Sequence, residues 1–528
     1  MTSMFPRRTA LRGAAGAAFG LAAAGAVAGC TEDASGPDRT RGPGSTAPRA
    51  PVRHEVALFD DGRVVALDPA AEPSVAASSA LLARATAVVV SGAADGDVRA
   101  GADTATALGL PHLVAGPGLS DELDRLGVRT VVRVAGATEP ATDGATPSST
   151  SSRSASPSPL PSDFGDREVV DAPRTGVPEV EGLPADGPTG EVLALLADDT
   201  DVPPAVAALL TLCAARRHRM GGADPRTDST VWKPLRAAPD ALVVGIGGLG
   251  DHFGQRVRTV RRAPEVPGGG YLPFPARRMV ALYGHPQTKD LGMLGEQGRD
   301  ASVRRARAYA QEYEQLTGDP VVPAFELIAT VAAASAGADG MYSNRTPLNV
   351  LRPWVQTAKK AGVYVVLDLQ PGRSDFLEQA KAYESLLREP HVGLALDPEW
   401  RLGPDEKPLQ RIGHVDVDEV NRVGRWLAGL VREHDLPPKV LTLHQFRTSM
   451  IRGRADLDTG LDEVQWLVHA DGQGGQGAKR STWDALRQDL PEGVFLGWKN
   501  FEDEDLPMLT PAQTVAQVKP TPFFVSYQ

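Results

Sequence analysis

The segment Asp397-Pro398-Glu399-Trp400 sets two carboxyl groups two residues apart, directly after the apolar run Leu394-Ala395-Leu396. On an extended chain, side chains two apart project to the same side. Two facing carboxyl groups suit glycoside hydrolysis: one acid protonates the leaving oxygen, and a second group acts as base or nucleophile. A neighbouring carboxylate also raises the acid's pKa and keeps its proton in place. We assign the acid role to Glu399, with Asp397 or Asp368 in support and Glu326 as a further candidate partner. Trp400, Trp498 and Tyr527 offer flat surfaces for sugar rings, and His285, His444 and Gln445 offer polar contacts. Pro398 opens an alternative, in which the strand stops before it and the two carboxylates cap its end.

A second chemistry is available to His285, His444, His469 and Asp471, which together could bind zinc in a metal-dependent hydrolase. His444 and His469, after the fifth and sixth strand candidates, resemble the histidines of the amidohydrolase barrels. However, His-x-His on the first strand, a lysine ending the fourth and an aspartate ending the eighth are all missing. This reading therefore ranks below the first, and neither metal nor other cofactor is expected. A third reading is a carbohydrate- or wall-binding protein without catalysis. The glycine-rich loop Gly472–Gly477 lacks the Lys-Ser/Thr of a phosphate-binding loop and reads as a mobile segment over a site.

These residues need a scaffold. Eight apolar runs occur in order: Met279–Tyr283, Val321–Leu327, Val363–Leu369, Val392–Leu396, Lys439–Leu443, Val464–Val468, Val494–Trp498 and Phe523–Tyr527. Ala301–Leu316, Pro347–Ala361, Asp375–Leu387 and Val415–Glu433 carry apolar residues at helical spacing. Strands alternating with helices over 275–528 predict an α/β domain of the (β/α)8 TIM-barrel type, with a doubly wound open sheet as the rival. The candidate residues fall near the C-terminal ends of these strands, the face where such barrels carry their sites.

Residues 54–137 and 188–250 alternate strand and helix in the same way, predicting small parallel α/β modules. In the first, Ala107-Leu108-Gly109-Leu110-Pro111-His112-Leu113, then Leu123 to Val128, then Val131–Gly136 resemble the second type of bacterial cell-wall-binding repeat. Glu191–Leu196, Val202–Arg216 and Ala241–Gly248 resemble a degenerate second copy. The resemblance implies wall binding; the plain alternative is a scaffold that positions the barrel. Between the modules, 138–187 is read as a disordered Ser/Pro-rich linker, with Pro147–Ser158 its most biased stretch.

At the N-terminus, Arg7-Arg8, a small-residue apolar run to Gly29 and Ala26-Val27-Ala28-Gly29-Cys30 occur in the order of a twin-arginine signal peptide ending in a lipobox. The chain thus resembles bacterial surface lipoproteins of the actinobacterial type. That implies cleavage after residue 29, a lipid such as palmitate on Cys30, and a Gly/Pro/Ser/Thr-rich tether over 30–53. Lipidation would leave Cys213, the second of two cysteines among 528 residues, with no disulfide partner. Removing the three arginines of the signal from the formal charge of −11 leaves −14, which argues against a nucleic-acid partner. The expected partners are a cell wall or polysaccharide, and a membrane through the N-terminal lipid. Taken together, the sequence reads as an exported, lipid-anchored glycoside hydrolase of the cell envelope.

Overall fold

The structure is a computed structural model that describes residues 53–68, 71–134, 160–173 and 176–528. The export segment, Cys30 and all but the last residue of the tether lie outside the described residues. No helix among the described residues is long and apolar enough to cross a membrane.

The N-terminal part holds two four-stranded parallel sheets. The first runs in the order His112–Val114, Ala87–Ser91, Thr130–Val134, Glu168–Asp171. The second runs Val64–Ala66, Leu242–Ile246, Val192–Leu196, Arg216–Arg219. The central strands Ala87–Ser91, Val192–Leu196 and Leu242–Ile246 are fully buried and almost wholly apolar, as expected of sheets covered on both faces. Helices Asp95–Leu108 and Leu119–Leu126 each end on a glycine in the left-handed conformation, Gly109 (φ 65°) and Gly127 (φ 70°). A residue in this conformation ends a helix, and glycine takes it without steric cost. One apolar core joins the two sheets, with Val88, Val90 and Leu123 from the first packing among Leu196, Leu209 and Val244 from the second.

Two edge strands cross the boundaries read from sequence. Val64–Ala66 precedes the first sheet in the chain but pairs with Leu242–Ile246 of the second. Glu168–Asp171 lies inside the segment read as a disordered linker, yet pairs with Thr130–Val134. Arg133 holds it there through Asp171 at 2.6 Å. The segment 138–187 is therefore not a linker throughout; Pro147–Ser158 lies outside the described residues.

The C-terminal part is a closed barrel of eight parallel strands surrounded by helices. The strands are β1 (Arg278–Gly284), β2 (Val321–Ala332), β3 (Tyr364–Leu369), β4 (Val392–Leu396), β5 (Lys439–Gln445), β6 (Val464–Ala470), β7 (Phe495–Asn500) and β8 (Phe524–Tyr527). β1 pairs with both β2 and β8, which closes the cylinder and rules out the open-sheet rival. Successive residues alternate between the helix layer and the interior. Val280, Leu282, Val365, Leu367, Leu441 and Leu443 point outward into one large core under the helices. Met279, Ala281, Tyr364, Val366, Ala395, Val440, Leu467 and Phe524 point inward and fill the N-terminal half. Phe274, whose backbone N–H donates to Gln465 Oε1 at 2.8 Å, closes that end against Phe495 and Phe523.

The second N-terminal sheet and its helices dock on this closed end. Arg226 and Arg256 both grip Asp462, in the turn entering β6, at 2.8 and 2.9 Å. Arg258 pairs with Asp435, in the turn entering β5, at 2.7 Å. The opposite end, where the strands point with their C-termini, is left for the site.

Candidate functional site

The alternation that puts apolar residues in the lower half of the barrel puts ionisable ones in the upper half. Counting up each strand by twos gives Tyr283 on β1, Glu326 on β2, Asp368 on β3, Asp397 just beyond β4, His444 on β5, His469 on β6 and Lys499 on β7. Each is buried, with Glu326, Asp368, His444 and His469 at 0% exposure. Two inward glycines make room for this layer and the one below. A Cβ at Gly497 would stand 2.8 Å from the His469 ring, and one at Gly393 would stand 2.6 Å from the Val440 carbonyl.

The buried groups are joined in a network. His444 lies between two carboxylates, with Nε2 2.9 Å from Glu326 Oε1 and Nδ1 3.0 Å from Asp471 Oδ2. Asp368 Oδ2 accepts the Tyr283 hydroxyl at 2.8 Å, and its Oδ1 lies 3.9 Å from His444 Nε2. His469 Nε2 lies 3.2 Å from Ser526 Oγ. The Lys499 ammonium sits 3.5 Å above the centre of the Tyr283 ring.

Burial opposes every charge here, so the neighbours decide which groups keep one. Burial alone would lower His444, but Glu326 and Asp471 outweigh it and hold the imidazolium well above the usual range. Burial likewise pushes Glu326 and Asp471 upward, yet His444 overcomes it and both stay below their ordinary values. Asp397 is driven well above the carboxylate range by burial and then by Asp368. Burial, aided by Glu326, pushes Asp368 up to about 6. His469 is pushed down to about 3 by burial, with His444 and Lys499 adding to it. The layer thus combines ionised pairs around His444 with a neutral acid at Asp397.

Above the network a cavity of about 330 Å³ opens at the barrel mouth. Asp397, Glu399, Asp471 and Lys499 supply its polar wall, and Trp400, Phe446 and Phe501 supply aromatic surface. Its size falls in the range of small-molecule clefts. Gly472 and Gln473 of the glycine-rich loop also line it, while Gln476 of that loop begins a helix, Gln476–Arg487.

The sequence-derived candidates separate into three groups. Asp397, Glu399 and Trp400 meet on the cavity wall, though not by the expected strand geometry. β4 stops at Leu396, and Asp397 caps the short 3-10 turn Pro398–Trp400 by accepting the Glu399 N–H at 3.2 Å. The capping alternative describes the backbone correctly, and the turn still delivers both carboxyl groups to the cavity. Glu326, Asp368 and His444 lie beneath the floor, in the network. The remaining four do not reach the cavity. Trp498 and Tyr527 face outward: Trp498 packs on Trp483 and donates to Asn500 Oδ1 at 2.9 Å, and Tyr527 stacks on Tyr309 and meets the Tyr313 hydroxyl at 2.8 Å. His285 turns to Thr346 Oγ1 at 3.0 Å. Gln445 accepts from Arg454 at 3.0 Å and donates to the Arg447 carbonyl. These four, and His444 beneath the floor, do not line the cavity as the sequence reading expected.

Tyr283, Phe446, Arg447 and Phe501 line the cavity without having been selected from sequence, whereas Lys499, read there as a polar residue closing the seventh strand, lines it too. Lys499 follows the inward Gly497 by two, which is why it points into the barrel. The chain matches no known protein-family model and no curated protein.

Proposed function

We propose that the protein is a glycoside hydrolase of the cell envelope, acting on a cell-wall or extracellular polysaccharide. The observation that carries this reading is the shared wall of Asp397, Glu399 and Trp400 in one cavity at the barrel mouth. Glu399, the half-buried carboxyl group on the open wall, donates the proton to the leaving oxygen. Asp397 beneath it, held neutral by burial and Asp368, supports Glu399 without adding charge, and ionised Asp471 on the same wall takes the proton of the water that attacks the sugar carbon as the leaving oxygen departs. Trp400, Phe446 and Phe501 give sugar rings apolar faces to lie on. Export and anchoring through lipid on Cys30 belong to the same proposal, supported by the order of arginines, apolar run and cysteine at the N-terminus. Wall binding by the N-terminal sheets is supported by the repeat resemblance.

The test is release of new reducing ends from peptidoglycan and from α- and β-glucans by the purified mature chain. Glu399→Gln is expected to lower the rate by about 10²–10⁴-fold with an unchanged melting temperature. A rate equal to wild type in that variant removes Glu399 from the chemistry.

A further inference from the structure

Under the cavity floor, Glu326, His444 and His469 each offer one ligand atom within 4.8 Å of the other two. Glu326 Oε1 stands 2.9 Å from His444 Nε2 and 3.9 Å from His469 Nδ1. Ligands bound about 2.0–2.2 Å from a common ion sit roughly 3–3.5 Å apart, so side-chain shifts of up to about 1 Å bring these atoms into range. Asp368 Oδ1, 3.9 Å from His444 Nε2, is placed for a fourth position.

A second observation points to a missing occupant. Glu326 Oε2, Asp368 Oδ1 and His469 Nδ1 are buried and have no hydrogen-bond partner among the described residues. A buried polar atom left unpaired costs about 1–3 kcal/mol, and such atoms seldom gather in one place. All three side chains are at 0% exposure and belong to the same cluster.

Both imidazoles are also held from behind. His444 Nδ1 meets Asp471 Oδ2 at 3.0 Å, and His469 Nε2 meets Ser526 Oγ at 3.2 Å. Partners of this kind fix the tautomer and aim the free nitrogen of metal-binding histidines. We propose that Glu326, His444 and His469, with Asp368, form a divalent-cation site beneath the cavity. Two imidazoles and two carboxylates suit Zn²⁺ among the common ions. The ligand set differs from the zinc reading made from sequence: His285 is turned away to Thr346, and Asp471 stands behind His444. It also departs from the expectation that no metal is bound. The ion takes the place of the proton between His444 and Glu326. This site is independent of the proton donor assigned to Glu399 and is read by binding, not turnover.

The experiment uses the mature chain stripped with a chelator. Zn²⁺ is titrated by calorimetry, and Co²⁺ is titrated by visible absorption, which reports nitrogen and oxygen coordination. One ion per chain is expected. His469→Gln and Glu326→Gln are expected to weaken binding by at least 100-fold, and Asp471→Asn by about 10–100-fold. His285→Gln, checked by circular dichroism, is expected to bind as wild type does. Wild-type protein that takes up neither ion at millimolar concentration overturns the site, whatever the fate of the variants. So does wild-type affinity in a folded His469→Gln protein.

Discussion

The two halves of the barrel interior are lined by the same strands and differ in what the inward positions carry. The lower half holds Phe274, Met279, Tyr364, Val366, Leu467 and Phe524, apolar or nearly so and fully buried. The upper half holds Glu326, Asp368, Asp397, His444, His469 and Lys499, buried almost as deeply. Each side chain of the lower set stabilises the fold by about 1.5–3 kcal/mol through burial. Each of the upper set costs free energy unless its neighbours compensate. Folding is thus driven from one end of the cylinder and opposed at the other, and the opposed end is where a cavity exists.

The contrast breaks first at Phe274. Phe274→Ala is expected to lose about 3–5 kcal/mol of unfolding free energy, read by denaturant titration, because the ring sits at 0% exposure between Phe495 and Phe523. A loss below 1 kcal/mol would show that the closed end is not where the stability lies.

A titration sharpens it next. His391, buried at the N-terminal end of β4 with Nε2 3.0 Å from the Val355 carbonyl, is pushed down to about 4 by burial. The unfolded chain takes up its proton near pH 6.5, and the folded one does so only near pH 4. Stability from this group is therefore complete above pH 6.5 and lost as pH falls from there to about 4, by up to about 3 kcal/mol. His391→Gln should flatten that part of the stability–pH curve; an unchanged slope would assign the acid sensitivity elsewhere.

The smallest expected effect has the opposite sign. Asp368→Asn, measured in chelator-treated protein, should raise unfolding free energy by about 1 kcal/mol. It removes a buried carboxyl group that burial and Glu326 both disfavour, and it can keep the Tyr283 hydrogen bond. Destabilisation by more than 1 kcal/mol would mean that the upper layer supports the fold as the lower one does.

Much of this architecture was legible in the residues. Val392–Leu396 is a strand at the very position its apolar run marked, and the runs Met279–Tyr283 and Val464–Val468 lie within β1 and β6. Long periodic segments carry their own signal. The direction of single side chains at strand ends was less legible. Trp498 and Tyr527 were read as facing the mouth, but parity from Gly497 and Ser526 sends both outward. Fixing that parity needs one known inward residue per strand, and a mid-strand glycine such as Gly497 supplies it. The edge strands Val64–Ala66 and Glu168–Asp171 were missed for another reason. Each has three or four residues, and Val64–Ala66 has its partner far along the chain, so no local pattern announces them. Phe446, Arg447 and Phe501 reach the cavity from loops, where periodicity says nothing.

The grip on Asp462 carries a geometric consequence. Arg226 and Arg256 lock the second sheet against the base of the cylinder, so that sheet is not free to swing up beside the mouth. A seven-residue strand such as β5 spans about 20 Å, and a cylinder of such strands lies between the docked end and Glu399. A polymer grasped by the N-terminal sheets would have to run along the flank before reaching the opening. Short fragments and long chains should therefore meet this molecule differently, the first engaging one end and the second bridging both.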